Sequence, residues 1–225
     1  MTAPFDRLRA QPFDKLRGAP FDRLRTALAA DPRPRTLGFD RTPRGERAAA
    51  VLMLFTRDTD PALTFVTRAE TLRNHAGQVA LPGGAVDPGD IDATDTALRE
   101  ADEEIGLNRR SVSLLGQLPP LWVPASRFDV TTVVATWPGD ATLAPMDPAE
   151  TGSVERFTIS ELTDPANRVT ARHPVGFTGP AFAMGEVFIW GLTAHLVDWV
   201  LDLAGWARHW DIDRVVDIPV QFLRD

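Results

Sequence analysis

One stretch of the sequence decides the fold: Gly83-Gly84-Ala85-Val86-Asp87-Pro88-Gly89-Asp90, continuing six residues later into Ala97-Leu98-Arg99-Glu100-Ala101-Asp102-Glu103-Glu104-Ile105-Gly106-Leu107. At 100° per residue, Glu100, Glu103 and Glu104 fall within an arc of about 100° on a helix. The neighbouring arc is apolar and suits packing on a β-sheet: Ala97, Leu98, Ala101 and Ile105. The pattern therefore predicts a helix with one acidic face and one buried face, beside a Gly-Gly turn with free backbone groups.

The predicted helix has recognisable ends. Helical spacing runs from Ala93 to Ile105, and Gly106 followed by an apolar residue is typical of a helix C-terminus. We expect Thr94 or Asp95 to cap the N-terminus.

The acidic face is a candidate metal site. Two carboxylates about 4 Å apart repel each other by about 4 kcal/mol at an effective dielectric constant near 20, so such a cluster favours protonation or a hard cation. Residues four apart lie on the same face, which makes Glu100 and Glu104 the leading ligands and Glu103 the third. Glutamates at this spacing also occur on solvated helix faces, but the turn in front, Arg99 and Gly106 add independent constraints. Oxygen ligands favour Mg²⁺ or Mn²⁺.

The same stretch resembles the signature of the Nudix hydrolases. That signature reads Gly, five residues, Glu, seven residues, Arg-Glu, an apolar residue, any residue, Glu-Glu, any residue, Gly and an apolar residue. Arg99 to Leu107 fits the second half without exception. In the first half, Gly84 to Arg99 is one residue longer than the signature, and Asp90 stands where the signature has Glu. The resemblance implies a metal-dependent enzyme that hydrolyses a diphosphate.

Both departures are similar to one branch of that family, the coenzyme A pyrophosphatases. The upstream segment Thr67 to Gly84 resembles the branch's own motif, with Leu-Arg-Asn-His-Ala-Gly at 72–77 and Leu-Pro-Gly-Gly at 81–84. Phe188 to Ala194 resembles the segment that opens the branch's last helix. The resemblance therefore covers residues 45–205.

The resemblance also implies a set of site residues. It adds a backbone carbonyl of the Gly-Gly turn, on Gly83 or Gly84, to the metal ligands, and Arg99 is expected to orient a carboxylate. The cations upstream of the turn are expected to face the anionic ends of the substrate: Arg68, Arg73 and His75. Arginine suits this role because its guanidinium binds a phosphate in bidentate fashion.

The sequence leaves the general base open. Glu100 is one candidate, close to the metal, and Glu150 or Glu155 on a later loop is the other. Glu150 occupies a position where the branch has an acidic residue. The candidate catalytic residues are therefore Glu100, Glu103, Glu104, Arg99 and Glu150.

Runs of β-branched and aromatic residues predict four strands, at 48–55, 63–67, 128–137 and 182–190. The apolar spacing from Leu192 to Leu203 predicts a second helix. Loops are expected at Pro119-Pro120, 145–152 and 174–179. The pattern favours a mixed β-sheet between helices, an α/β fold, and the resemblance makes it a Nudix-type α/β/α sandwich.

The first 37 residues differ from the rest. Pro4-Phe5-Asp6-Arg7-Leu8-Arg9 recurs at 12–17 with Lys15 in place of Arg, and unchanged at 20–25. Proline inside a helix costs about 3 kcal/mol, which argues against one long helix. We therefore expect residues 1–37 to form a loosely ordered tail, with a basic docking arm as the alternative, and residues 38–225 to form the Nudix hydrolase domain.

Composition narrows the class of protein. The 225 residues, 44% of them hydrophobic, suffice for one substantial core. The chain has no cysteine, which excludes disulfides and thiol catalysis and fits a cytoplasmic protein. A net charge of −7 argues against nucleic-acid binding, and no apolar run approaches the length of a membrane span. We expect a small-molecule substrate and leave open a homodimer.

The predicted function is metal-dependent hydrolysis of the diphosphate bond of coenzyme A or its derivatives, giving 3′,5′-ADP and 4′-phosphopantetheine or its acyl form. The first alternative is a Nudix hydrolase of another nucleoside diphosphate derivative, such as ADP-ribose or NADH. The second is a non-catalytic Nudix module that binds a nucleotide-like effector. The presence of all three glutamates on the acidic face favours an enzyme.

Overall fold

A mixed β-sheet forms the centre of the fold. The structure is a computed structural model, and it describes residues 20–33, 42–72 and 75–223. In these ranges seven strands make up the sheet: β1 (Ala48–Thr56), β2 (Ala62–Arg68), β3 (Val79–Ala80), β4 (Gly83–Ala85), β5 (Ser113–Val123), β6 (Phe128–Trp137) and β7 (Thr151–Thr158). The strand order is β3-β2-β1-β6-β5, with β4 paired to β1 and β7 paired to β2. The sheet is mixed because β1 and β6 are parallel, whereas the other pairs are antiparallel.

A second, smaller sheet follows in the chain. Within the described ranges it has four strands in the order β10-β9-β8-β11: β8 (Arg168–Arg172), β9 (Thr178–Met184), β10 (Val187–Ile189) and β11 (Val215–Asp217). The single strand predicted over residues 182–190 is therefore wrong. It is the antiparallel hairpin of β9 and β10, which reverses at Gly185, a glycine with positive φ.

Helices cover both faces of the central sheet. The described residues contain α1 (Asp22–Ala29), α2 (Ala93–Ile105), α3 (Ile159–Thr163) and α4 (Gly191–Ala204). Side chains alternate along β2, so Val66 joins the buried cluster of Ala97 and Ala101 on α2, whereas Phe65 joins the cluster that contains α1 and α4. The α/β/α sandwich is thereby confirmed.

Helix α2 has the predicted bounds but a different N-cap. The capping side chain is Asp92, whose carboxylate accepts a hydrogen bond from the Asp95 amide at 2.9 Å. Neither Thr94 nor Asp95 is the cap, because the helix starts one residue before Thr94.

The loop predicted at Pro119-Pro120 lies inside β5 instead. Proline removes a backbone donor, which an edge strand or a bulge tolerates. Strand β5 is the last in the sheet order, and its register against β6 shifts between Leu118 and Leu121. The two prolines therefore lie at a register shift in an edge strand of the sheet.

The third repeat of the N-terminal segment is packed on the domain, which corrects the expectation of a loosely ordered tail for residues 20–33. Helix α1 follows Phe21 and buries Leu24 and Leu28, with Leu24 0% exposed. The Phe21 ring lies 5.7 Å from that of Phe55 and 5.6 Å from that of Trp206. The proline precedes this helix, so it does not interrupt it. The first two repeats and residues 34–41 lie outside the described residues.

Candidate active site

The Gly83-Gly84 turn and helix α2 meet at two carboxylates. The Glu104 carboxylate accepts a hydrogen bond from the Gly83 amide at 3.0 Å. A Cβ placed on Gly84 would lie 2.5 Å from the carboxyl group of Glu100. Glu100 and Glu104 therefore both face the turn, as their spacing of four residues predicts.

Glycine is required at the first position of this turn. Strand β4 pairs with β1 and brings Gly83 opposite Val51. Gly83 has φ of +154°, and a Cβ there would lie 2.3 Å from the Ala50 carbonyl oxygen. A side chain is excluded both by the backbone conformation and by the neighbouring strand.

Burial disfavours negative charge on both carboxylates. It raises the pKa of Glu104 to about 7, although the Gly83 amide opposes the rise and the positive charge of Arg68 also acts against it. Burial also raises the pKa of Glu100, against the hydrogen bond from Arg99. For both carboxylates burial therefore outweighs the positive charge of the neighbouring arginine.

Arg99 holds several acidic groups in place at the start of the site. Its Nε and Nη2 donate to the two oxygens of Asp90, each at 2.9 Å, and Nη2 also donates to the Ala85 carbonyl at 3.1 Å. Its Nη1 lies 2.9 Å from both Glu100 and Glu103. The Arg99 guanidinium, with a smaller contribution from the Asp87 amide, holds the pKa of Asp90 well below its usual range. These contacts fit the orienting role expected of Arg99.

The Glu103 side chain is more exposed than those of the two carboxylates at the turn. Its side chain is 60% exposed and contacts Arg99 at 2.9 Å. Across residues 20–33, 42–72 and 75–223, no three His, Asp or Glu side chains form a ready-made metal site. Glu100 and Glu104 thus face the turn, and Glu103 as a third ligand stays a prediction.

The two carboxylates at the turn, Glu100 and Glu104, fit a Mg²⁺ or Mn²⁺ ion. Mg²⁺ keeps several waters and is held by one or two protein carboxylates rather than by a complete protein cage. Glu100 and Glu104 supply that number, and the raised pKa of the buried Glu104 marks a carboxylate that a cation would stabilise in its charged form.

The segment upstream of the turn brings positive charge to the same place. Arg68 ends β2 on the α2 face, and no group among the described residues accepts a hydrogen bond from its buried Nε. His75 is exposed in the loop between β2 and β3, with a backbone φ of +59°. Arg73 lies outside the described residues. Of the three residues predicted to face the substrate, the structure thus places Arg68 beside Glu104 and His75 on the adjoining loop.

The candidates for the general base lie on different faces of the sheet. The negative charge of Glu150 adds to the pKa rise of Glu104 that burial chiefly causes, and the Glu150 carbonyl accepts from the Ala69 amide at 2.9 Å. Glu155 instead accepts from Thr67, on the face of β2 turned away from α2. The geometry favours Glu150 or Glu100 over Glu155.

Asp90 and Gln78 were not predicted as site residues. The Asp90 side chain is only 3% exposed and binds Arg99. Its position in the Nudix signature is the sequence feature that could have identified it as a site residue. Gln78 links the loop to the C-terminal end of the described chain, 144 residues away, a contact that spacing does not reveal.

The sequence matches a known protein family over more than half of its length. The model of the NUDIX domain matches residues 46–175. The Nudix hydrolase NudL of Photorhabdus laumondii, an uncharacterized protein, is 37% identical over 158 residues, which cover 67% of this chain and 81% of the relative. The NudL protein of Cronobacter sakazakii is 36% identical over 164 residues, covering 70% and 82%. The chain belongs to the Nudix family.

As a Nudix hydrolase, the protein is an enzyme that acts on pyrophosphate bonds, and this family generally uses divalent metal ions. The solved structure of the NUDIX hydrolase from Nitrosomonas europaea aligns with a TM-score of 0.45 at 12% identity, covering 78% of this chain and 82% of that one. In the described part of the chain, no helix is long and apolar enough to cross a membrane.

Proposed function

We propose that this Nudix hydrolase cleaves the diphosphate bond of coenzyme A or its derivatives. The observation that carries the proposal is the position of the segment from Thr67 to Gly84, whose sequence resembles the coenzyme A pyrophosphatases. That segment begins on β2 beside Glu104 and ends in the turn whose Gly83 amide binds Glu104. Arg68 near the start of this segment and the Gly-Gly turn at its end are thus next to Glu100 and Glu104, which supports the proposal.

We assign Glu100, Glu104 and the Gly84 carbonyl as the groups that hold Mg²⁺ or Mn²⁺. When bound, such an ion neutralises charge on the diphosphate oxygens and orients them. Arg99 keeps Glu100 facing the turn, and Asp90 holds Arg99. Glu103 acts through Arg99 in this assignment rather than as a ligand.

The hydrolysis itself needs a base and a binding surface for phosphate. A water oxygen attacks one phosphorus, the bridging P–O bond breaks, and the water proton passes to a carboxylate. Glu150 is the first choice for that carboxylate and Glu100 the second. Arg68, whose buried Nε has no hydrogen-bond partner among the described residues, is assigned to the substrate phosphates together with His75 and, from the sequence alone, Arg73.

A comparison of substrates tests this proposal. Purified enzyme with Mg²⁺ is given coenzyme A, ADP-ribose and NADH at equal concentration, and kcat/KM is measured for each. We expect the highest value for coenzyme A. A higher value for ADP-ribose or NADH would assign the enzyme to another nucleoside diphosphate derivative, and no turnover of any of them would favour the non-catalytic module.

A further inference from the structure

Gln78 bridges the substrate-facing loop and the C-terminal part of the chain. Its Nε2 donates a hydrogen bond to the Phe222 carbonyl oxygen at 2.7 Å. Its Oε1 lies 3.0 Å from Nδ1 of His75. One amide side chain therefore contacts both His75 and the 3₁₀ turn Val220–Leu223.

These two contacts fix which ring nitrogen of His75 carries the proton. A backbone carbonyl oxygen only accepts hydrogen bonds, so the amide nitrogen of Gln78 must face Phe222. The amide oxygen then faces His75, and because this oxygen also only accepts, Nδ1 must be the donor. In the neutral imidazole, Nε2 is left as an acceptor.

Both ends of the bridge are held by the surrounding structure. Phe222 is buried in a cluster with Val169, Phe188 and Ile218. Its ring stacks on Phe188 at a centroid distance of 6.4 Å, and it would lie 3.8 Å from a Cβ on Gly77. On the loop, Gln78 N–H donates to the His75 carbonyl at 3.1 Å, which closes a turn around the positive φ of His75.

We propose that Gln78 is a positioning residue that, anchored by Phe222, fixes the ring orientation and the Nδ1–H of His75, which leaves Nε2 as the ring atom available to the substrate. The part concerning substrate rests on the proposed function, in which His75 faces the substrate. The part concerning the tautomer rests on the hydrogen-bond directions alone. The C-terminal 3₁₀ turn thereby becomes a support of the binding loop, although it lies outside residues 46–175 of the family match.

The tautomer is tested directly by nitrogen-15 NMR of the imidazole rings. The chain has only 4 histidines, so His75 can be assigned by a His75→Gln variant. At about pH 8, where an ordinary imidazole is neutral, we expect the Nδ1–H form in the wild type and a shift towards Nε2–H in Gln78→Met. Gln117→Met is the matched control, because it removes one exposed glutamine hydrogen bond, to Thr94, elsewhere on the surface. An Nε2–H signal in the wild type, or no change in Gln78→Met, overturns the proposal.

Steady-state kinetics test the role in binding. With the diphosphate substrate that the wild type turns over best, Gln78→Met is expected to raise KM about fivefold to tenfold, the effect of one lost hydrogen bond, and to leave kcat within about twofold. Gln117→Met is expected to change neither. A fall in kcat at unchanged KM, or no effect, contradicts the proposal.

Gln78→Glu keeps the test decisive if Gln78→Met folds poorly. A glutamate retains an acceptor for Nδ1–H but loses the donor to Phe222, so the Nδ1–H tautomer of His75 should persist while KM rises. An unchanged KM in this variant would show that the hydrogen bond to Phe222 does not support His75, and would overturn the proposal. Should coenzyme A not be hydrolysed, the proposed function fails, but the tautomer result still decides the role of Gln78.

Discussion

The carboxylates of α2 differ in what they touch, although they look alike in the sequence. Glu104 is half-buried against the Gly83 amide, Glu100 lies between the turn and Arg99, and Glu103 is mostly exposed. Desolvation therefore raises the pKa of the first two. We therefore expect a cation at the turn to bind Glu100 and Glu104 more strongly than Glu103.

Substituting the two inner glutamates is expected to abolish most of the activity. Glu100→Gln or Glu104→Gln removes one ligand charge and should lower kcat about a thousandfold, which corresponds to about 4 kcal/mol of transition-state stabilisation. Glu103→Gln should lower it by much less. Asp102→Asn, on the same helix and 54% exposed, is the control and should leave kcat unchanged. Near-normal turnover of Glu100→Gln or Glu104→Gln would show that the ligands are assigned wrongly.

Arg99 is expected to require a guanidinium rather than only a positive charge. It binds Asp90 through two nitrogens and contacts Glu100 and Glu103 with a third. Lysine has a single nitrogen and does not form this fork, so Arg99→Lys should lower kcat about tenfold to a hundredfold. Arg109→Lys, at a half-exposed pair with Asp95, is the matched control. Equal kinetics of the two variants would argue against an orienting role.

At the scale of elements, the sequence predicts best where several local signals agree. Helix α2 has a clear apolar period and a glycine at its end, and its bounds are confirmed. Strand β6 is confirmed over Phe128–Trp137 because it is a long, buried run of β-branched residues. Local signals mislead where the sheet environment decides, as at the two prolines of β5 and at the hairpin of β9 and β10.

In helix α1, local sequence signals argue against a helix that tertiary contacts stabilise. Three copies of one motif have nearly the same local sequence, and prolines between them argue against a helix. The third copy is helical because tertiary contacts bury it, with Phe21 against Phe55 and Trp206. Only the third copy is followed by Thr-Ala-Leu, whose Leu28 is buried. This difference is the sequence feature that distinguishes the helical copy from the other two.

The docking of α1 predicts an effect on stability. Leu24→Ala removes a fully buried side chain and should lower the free energy of unfolding by about 2–5 kcal/mol. Chemical denaturation followed by circular dichroism measures this loss. The matched control is Leu8→Ala at the corresponding position of the first repeat, which the sequence predicts to be loosely ordered and which should have little effect. Equal stability of both variants and the wild type would mean that α1 contributes nothing to the fold.

At the scale of the whole molecule, the site is assembled from segments distant in the chain. Ala69, which follows β2, bonds to Glu150, and Gln78, which precedes β3, bonds to Phe222. The carboxylates lie on the α2 face of the sheet, whereas Glu155 lies on the other. The sequence predicts the residue types of the site, but which of them meet depends on strand pairing across these distances.

Removal of divalent cations is expected to stop catalysis without unfolding the protein. Glu100 and Glu104 repel each other without a cation, and the net charge of −7 adds to repulsion of an anionic substrate. Excess EDTA should therefore abolish turnover, and added Mg²⁺ or Mn²⁺ should restore it, while circular dichroism stays unchanged. Full activity in EDTA would rule out the metal assignment.

The most direct test of the central claim is product analysis after incubation with coenzyme A and Mg²⁺. Mass spectrometry should find 3′,5′-ADP and 4′-phosphopantetheine in equal amounts, and Glu104→Gln should yield almost none of either. Dephospho-coenzyme A as the product would mean that a phosphate monoester is cleaved instead of the diphosphate, and would contradict the account.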